Sequence, residues 1–267
     1  MEETNYLIPF LLTLFAGLAT GIGSLIAFFA KTTNKRFLSF SLGLSGGVMI
    51  YIAFVEIFRD AQITLVTEMG ESNGMLTAVL CFFGGIFLIG IIDKLIPSFE
   101  NPHEIRSVEK MNTPPPQAKM MRVGLMTALV IGIHNFPEGI ATFTAAVDST
   151  SIGIAIAIAV AIHNIPEGIA VSIPIYYATG SKKKAFLFSF LSGLSEPIGA
   201  IIAYLILAPF MTPLVLGGTF AVVAGIMVFI ALDELLPAAR EYGEHHVAIY
   251  GLVAGMAIMA GSLLLLH

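Results

Sequence analysis

Hydrophobic residues run along this chain in eight long, nearly uninterrupted stretches, not in alternating or striped patterns. The stretches cover about residues 6–30, 37–57, 75–97, 123–146, 151–178, 185–208, 213–235 and 246–266. Runs of roughly 18 or more apolar residues are long enough to cross a bilayer as helices. Barrel strands would be short and would alternate apolar with polar positions, and these runs do neither. The predicted fold is all-α: a polytopic membrane helical bundle of eight transmembrane helices, forming one transmembrane domain over 1–267. The main interruption, about 98–122, holds Pro102, the run Pro114-Pro115-Pro116 and mixed charges. It reads as a flexible linker.

Composition agrees with the pattern. Hydrophobic residues are 57% of the chain and charged residues 12%, against roughly 25% charged in a soluble domain. The lipid bilayer is thus an expected partner, and nucleic acid is not. The first apolar stretch follows Met-Glu-Glu and has no basic residue before Lys31, so it is not expected to act as a cleavable signal. Cys81 is the single cysteine and allows no disulfide within the chain.

Charge placement sets orientation. Twelve of the thirteen basic residues fall around the connections after spans one, three, five and seven, and Arg59 alone lies on the other side. The positive-inside rule places the twelve in the cytoplasm. Both termini are then expected outside, which agrees with an even number of spans.

Two repeats stand out. His134-Asn135-Phe136-Pro137-Glu138-Gly139-Ile140-Ala141 recurs as His163-Asn164-Ile165-Pro166-Glu167-Gly168-Ile169-Ala170, with seven of eight positions identical at an offset of 29. The copies fall in consecutive spans four and five. A longer repeat relates Gly47–Ala53 to Gly225–Ala231, with Glu56 and Glu234 following at the same offset of 178. Ile22-Gly23 and Ala27 of span one also match Ile198-Gly199 and Ala203 of span six at an offset of 176, so spans one and two resemble spans six and seven. An odd number of crossings separates them, so an inverted repeat in a 3+2+3 arrangement is expected.

The duplicated block carries the chemistry. Successive helical residues turn by about 100°. With the His at zero, the Asn lies near 100° and the Glu near 40°, between them and one turn along. Two opposed faces would offer two His, two Asn and two Glu, with each Glu able to reach a metal on the His side and another on the Asn side. Imidazole and carboxylate suit Zn²⁺; an all-oxygen Asn side suits harder ions. Pro137 and Pro166 each remove a helical hydrogen bond and predict kinks. Gly139 and Gly168 predict close helix approach. Glu196, in Ser195-Glu196-Pro197 of span six, adds a third acid. An ionisable side chain at membrane depth costs roughly 2.5–3.5 kcal/mol, which a metal or a wet pathway would offset.

HNFPEGIA, HNIPEGIAV, the Ser-Gly-Leu-Ser-Glu-Pro of span six and Asp233-Glu234-Leu235-Leu236-Pro237 of span seven resemble the ZIP (Zrt/Irt-like) family of metal transporters, in particular its bacterial zinc-uptake branch. The resemblance covers nearly the whole chain. It implies eight spans, location in the inner (plasma) membrane, and a binuclear site between spans four, five and six. The first metal would be held by His134, Glu138, His163 and Glu167. The second would be held by Asn135, Glu138, Asn164, Glu167 and Glu196. A transport unit would slide against a scaffold, giving uptake by alternating access. Zn²⁺, and with it Fe²⁺, Mn²⁺, Co²⁺ or Cd²⁺, would be bound as substrate, with no prosthetic group; a second copy of the chain would be a candidate partner. Two features depart from the family. The loop after span three holds only His103 where many relatives are His-rich, and His163-Asn164 stands where some carry Gln-Asp.

Glu56 is expected near the outer end of span two, and Asp233 with Glu234 near the inner end of span seven, as entrance and exit acids or as ordinary interfacial charge. Competing functions leave different signatures. A zinc enzyme would show HExxH, but Asn follows the His here. No phosphate-binding loop supports ATP coupling. A metal channel or sensor stays open on sequence grounds.

Overall fold

The computed structural model describes residues 6–29, 35–95, 117–207, 210, 212–242 and 245–266. These residues form eight helical rods and no strand. Four are plain helices: α1 (Leu7–Phe29), α3 (Glu71–Leu95), α5 (Thr150–Thr179) and α8 (His245–Leu266). A fifth, α4 (Gln117–Asp148), runs unbroken through Pro137, as α5 does through Pro166. The other three are composite. Rod α2 (35–69) joins Lys35–Ile52 to Phe58–Met69 through a π-helical turn, Ala53–Ile57. In α6 (182–207), Lys182–Gly193 and Ser195–Ile202 meet at a turn on Leu194 and end in the π turn Ala203–Leu207. In α7 (213–242), Pro213–Ile230 passes through the π turn Ala231–Leu235 into Leu236–Tyr242.

Seven rods are long and apolar enough to cross a membrane on their described residues. The remaining rod, α4, has 32 residues, several of whose side chains lie outside the described set. The chain is an all-helical, multi-pass membrane protein.

Local chemistry explains the boundaries. Gly70, at φ 79°, ends α2 in a conformation other residues rarely adopt. Gly180, at φ 65°, ends α5 in a left-handed cap. The next residue, Ser181, caps α6 by accepting from the Lys184 amide at 3.3 Å. Thr212 does the same for α7 with the Val215 amide, and Pro213 begins the helix where a missing N–H costs nothing.

Several boundaries correct the sequence reading. The second helix does not stop near residue 57 but continues to Met69. Arg59, Asp60, Gln62 and Glu68 interrupt the apolar run without breaking the helix. The helix holding the first HN motif starts at Gln117, inside the expected 98–122 linker; residues 98–116 of that linker lie outside the described residues.

The longer repeat has a geometric counterpart. The π turns of α2 and α7 are 178 residues apart and place Glu56 and Glu234 at the same position within each. A Cβ on Gly47 would fall on the Leu252 backbone of α8, and one on Gly225 on the Phe82 backbone of α3. The start of α2 meets the end of α7, where the Ser39 hydroxyl donates to the Ala239 carbonyl at 2.6 Å. The start of α7 meets the end of α2, where Gly217 faces Thr64 and Leu65. These two helices are therefore antiparallel. So are α1 and α6: Lys182 Nζ donates to the Phe28 carbonyl at 3.2 Å, and Tyr6 packs edge-on against Tyr204 at 4.9 Å.

Large apolar side chains point outward along α3 and α8, among them Leu80, Phe87, Val253 and Leu264. In water such a surface would be a liability; on a membrane-spanning helix it meets lipid.

Candidate metal centre

Three helices bring the polar side chains together. The last residue of α4 is Asp148 and α5 begins at Thr150, so the two HN motifs pack in an antiparallel hairpin. The α6 rod crosses α4 at a pair of glycines. A Cβ on Gly139 would fall on the Glu196 backbone, and one on Gly199 on the Phe136 carbonyl. On the other side of the motifs, Gly168 abuts the Thr20 carbonyl of α1 and Gly23 the Ile165 carbonyl. The glycines of both motifs thus allow backbone-to-backbone contact, which puts short-reaching polar side chains within range of one another.

Asn135, Glu138, His163, Asn164, Glu167 and Glu196 are all buried, none more than 2% exposed. His163 Nε2 lies 3.1 Å from Glu138 Oε2 and 3.9 Å from Glu167 Oε1. The amide of Asn164 donates to the Ala16 carbonyl at 2.9 Å and to Glu196 Oε1. The imidazole therefore sits with the two motif carboxylates, and the carboxamide sits with the third acid. Two buried oxygens, Glu138 Oε1 and Asn164 Oδ1, have no hydrogen-bond partner among the described residues. Buried acceptors without partners are costly, and a cation would satisfy them.

The backbone of His134 lies in α4, but its side chain lies outside the described residues. Among the described residues no three His, Cys, Asp or Glu side chains form a finished ligand set. The donor chemistry nonetheless suits a divalent ion: imidazole and carboxylate on one side, carboxylate and carboxamide oxygens on the other.

The outlying acids are placed differently from the expectation. Glu56 is buried in the π turn midway along α2, not at a helix end, and Glu234 is buried in the matching turn of α7. Asp233 is exposed. Glu56 and Asp60 line a small cleft with Ala141, Ala145, Ile152 and Ile156. Ala141 and Ala145 follow Glu138 at helical spacings of three and seven, and Ile156 precedes His163 by seven. The cleft therefore lies on the same helix faces as the polar cluster, farther along them.

Sequence reasoning missed three contributors: the Ala16 carbonyl, the π turns and the turn at Leu194. A main-chain acceptor carries no side-chain signal. The π turns of α2 and α7 fall within the Glu56–Glu234 repeat, whose shared spacing was the only hint of them.

Residues 97–263 match the family model described as ZIP Zinc transporter. A protein of Oceanobacillus iheyensis named Zinc transporter ZupT is 63% identical over 265 residues, covering 98% of this chain and 99% of the relative. Relatives of the same name from Streptococcus mutans and Clostridium perfringens are 65% and 59% identical, covering 96% and 98% of this chain and 96% of each relative. Together with the motif pair, the helical bundle and the buried imidazole–carboxylate cluster, these matches establish that the chain belongs to the ZIP zinc transporter family.

Proposed function

We propose that this chain takes up Zn²⁺ across the inner (plasma) membrane by alternating access through a binuclear site. One metal is held by His134, Glu138, His163 and Glu167. The other is held by Asn135, Glu138, Asn164, Glu167 and Glu196. The observation that carries the reading is the buried contact of His163 with Glu138 and Glu167, joined by the unpartnered Glu138 Oε1 and Asn164 Oδ1. The carboxylates between the two sides are the shared ligands. Fe²⁺, Mn²⁺, Co²⁺ and Cd²⁺ are further candidate substrates.

The packing supports movement of one helix set against another. Helices α1, α4, α5 and α6 are tied by polar contacts: His163 to Glu138 of α4, Asn164 to Ala16 and Glu196, Ser24 to Gly168, and Ser189 to Thr20 and Gly168. Helices α2, α3, α7 and α8 are joined by glycine-to-backbone packing and the Ser39–Ala239 bond. Between the sets lie apolar side chains such as Met49, Ile52, Ile156 and Met227. Such a boundary has few directional bonds to break as it slides. The matched turns of α2 and α7, and the antiparallel helix pairs, support eight spans in a 3+2+3 inverted repeat, and the placement of the basic residues supports both termini outside. Glu56 with Asp60 serves the outer approach, and Asp233 with Glu234 the inner one. A second copy of the chain is the proposed protein partner.

The test is uptake into proteoliposomes with a panel of Zn²⁺, Fe²⁺, Mn²⁺, Co²⁺ and Cd²⁺. Saturable zinc uptake that His163→Ala removes is expected; zinc uptake indifferent to His163→Ala rules the site out. Non-saturating flux would favour a channel.

A further inference from the structure

We propose that Asn164 is a positioning residue: its amide N–H₂ clasps the Glu196 carboxylate to the backbone of α1 and so sets the geometry of the Asn side of the site. The inference rests on the transport reading above and goes beyond its ligand set.

The Asn164 nitrogen lies between two acceptors, the Ala16 carbonyl of α1 and Glu196 Oε1 of α6. Neither a carbonyl nor a carboxylate can donate, so the atom facing them must be the N–H₂ and not the carbonyl oxygen. The amide is thereby locked in one orientation, and its Oδ1 is turned elsewhere, buried and without a hydrogen-bond partner among the described residues. One side chain thus links three helices and aims a ligand oxygen. This is how groups behind a metal site hold its ligands in place.

Glu196 needs such a hold. It follows the turn at Leu194 and precedes Pro197, so its stretch of α6 is not stiffened by a continuous helical ladder. Its backbone is wedged against Gly139 of α4, and its Cβ lies close to Gly17 of α1. Both contacts fix the main chain. The contact that orients the carboxylate includes the Asn164 amide.

The Asn164→Asp change separates positioning from simple ligation. It keeps the ligand oxygen and adds negative charge, so a pure oxygen ligand would serve as well or better as Asp. It removes the donor, and it faces one carboxylate with another and with the Ala16 carbonyl. A hydrogen bond to a charged group corresponds to roughly tenfold or more in the equilibrium it supports.

The experiment measures zinc uptake in proteoliposomes holding equal amounts of the full chain with Asn164→Ala, Asn164→Asp, Glu196→Gln and the double change Asn164→Asp with Glu196→Gln. The expected order is wild type, then Ala, then Asp equal to Ala or worse. Asn164→Asp should lose roughly tenfold or more in kcat/KM. The double variant restores a donor opposite an acceptor and should exceed Asn164→Asp by several-fold. Asn164→Asp transporting at or above the wild-type rate, or better than Asn164→Ala, overturns the proposal. So does a double variant whose loss is the product of the two single losses. If Asn164→Asp does not fold, Asn164→Ala measured alone and combined with Glu196→Gln decides: positioning of Glu196 predicts a smaller loss from Asn164→Ala once Glu196 is changed, and independent ligation by Asn164 predicts the same fold-loss in both backgrounds. Failure of the transport reading would appear elsewhere, as zinc uptake indifferent to His163→Ala.

Discussion

His163 of α5 and Glu138 of α4 meet at 3.1 Å, Nε2 to Oε2, with both side chains buried. The contact joins the His of one motif to the Glu of the other, so neither motif is complete alone. Duplication of HNxPEG therefore has a physical purpose: the two copies face each other and share their donors.

That sharing predicts an unequal response to mutation. Glu138→Ala or Glu167→Ala should abolish transport of every metal, because in the proposed binuclear site each carboxylate serves both sides. His163→Ala should lower zinc transport by roughly 100-fold while sparing harder ions more, since imidazole suits zinc better. Glu196→Ala should show the opposite bias. The check is a matched mutant set, at equal membrane expression, assayed with zinc and iron separately. Near-normal zinc uptake in Glu138→Ala would end the shared-ligand reading.

Zinc binding should weaken in acid. Imidazole binds metal only when neutral and carboxylate when ionised, so protons compete with zinc at every donor. Titrations of the purified protein between about pH 7.5 and about pH 5.5 should show at least roughly a tenfold loss of affinity, because that range spans the ordinary imidazole value of about 6.5. Constant affinity across it would argue against an imidazole ligand.

Two glycines should report on helix approach. A Cβ on Gly168 would land on the Thr20 carbonyl, whereas one on Gly84 would meet nothing within 4 Å. Gly168→Ala should destabilise the detergent-solubilised protein by about 1–3 kcal/mol or more. Gly84→Ala should be neutral or slightly stabilising, as alanine favours a helix by about 1 kcal/mol over glycine. Thermal unfolding of both variants checks this, and equal melting temperatures would contradict the packing.

Glu56 lines the cleft on the same helix faces as the metal centre. Glu56→Gln should raise the KM for zinc at low ionic strength, where field focusing by an acid is strongest, with little change in kcat. Unchanged uptake at limiting zinc would make Glu56 a structural acid of the π turn.

The sequence by itself determined the membrane class, the helical spans and the residues that could hold a metal. Long apolar runs and a duplicated His-Asn-Pro-Glu block are local properties, legible one residue at a time. It misplaced the end of α2, because Arg59 and Asp60 lower hydropathy without interrupting the backbone ladder that continues to Met69. It set Glu56 at a helix end for the same reason. It did not foresee the turn at Leu194, three residues before Pro197. Only the tertiary structure decided which donors meet. His163 faces Glu138 because the α4–α5 hairpin is antiparallel and tightly packed. Asn164 faces Glu196 and Ala16 because glycines let α1 and α6 approach at that level. The spacing of a motif states what one helix can offer. The crossing of three helices, set by where their backbones can touch, states what those offers can bind together.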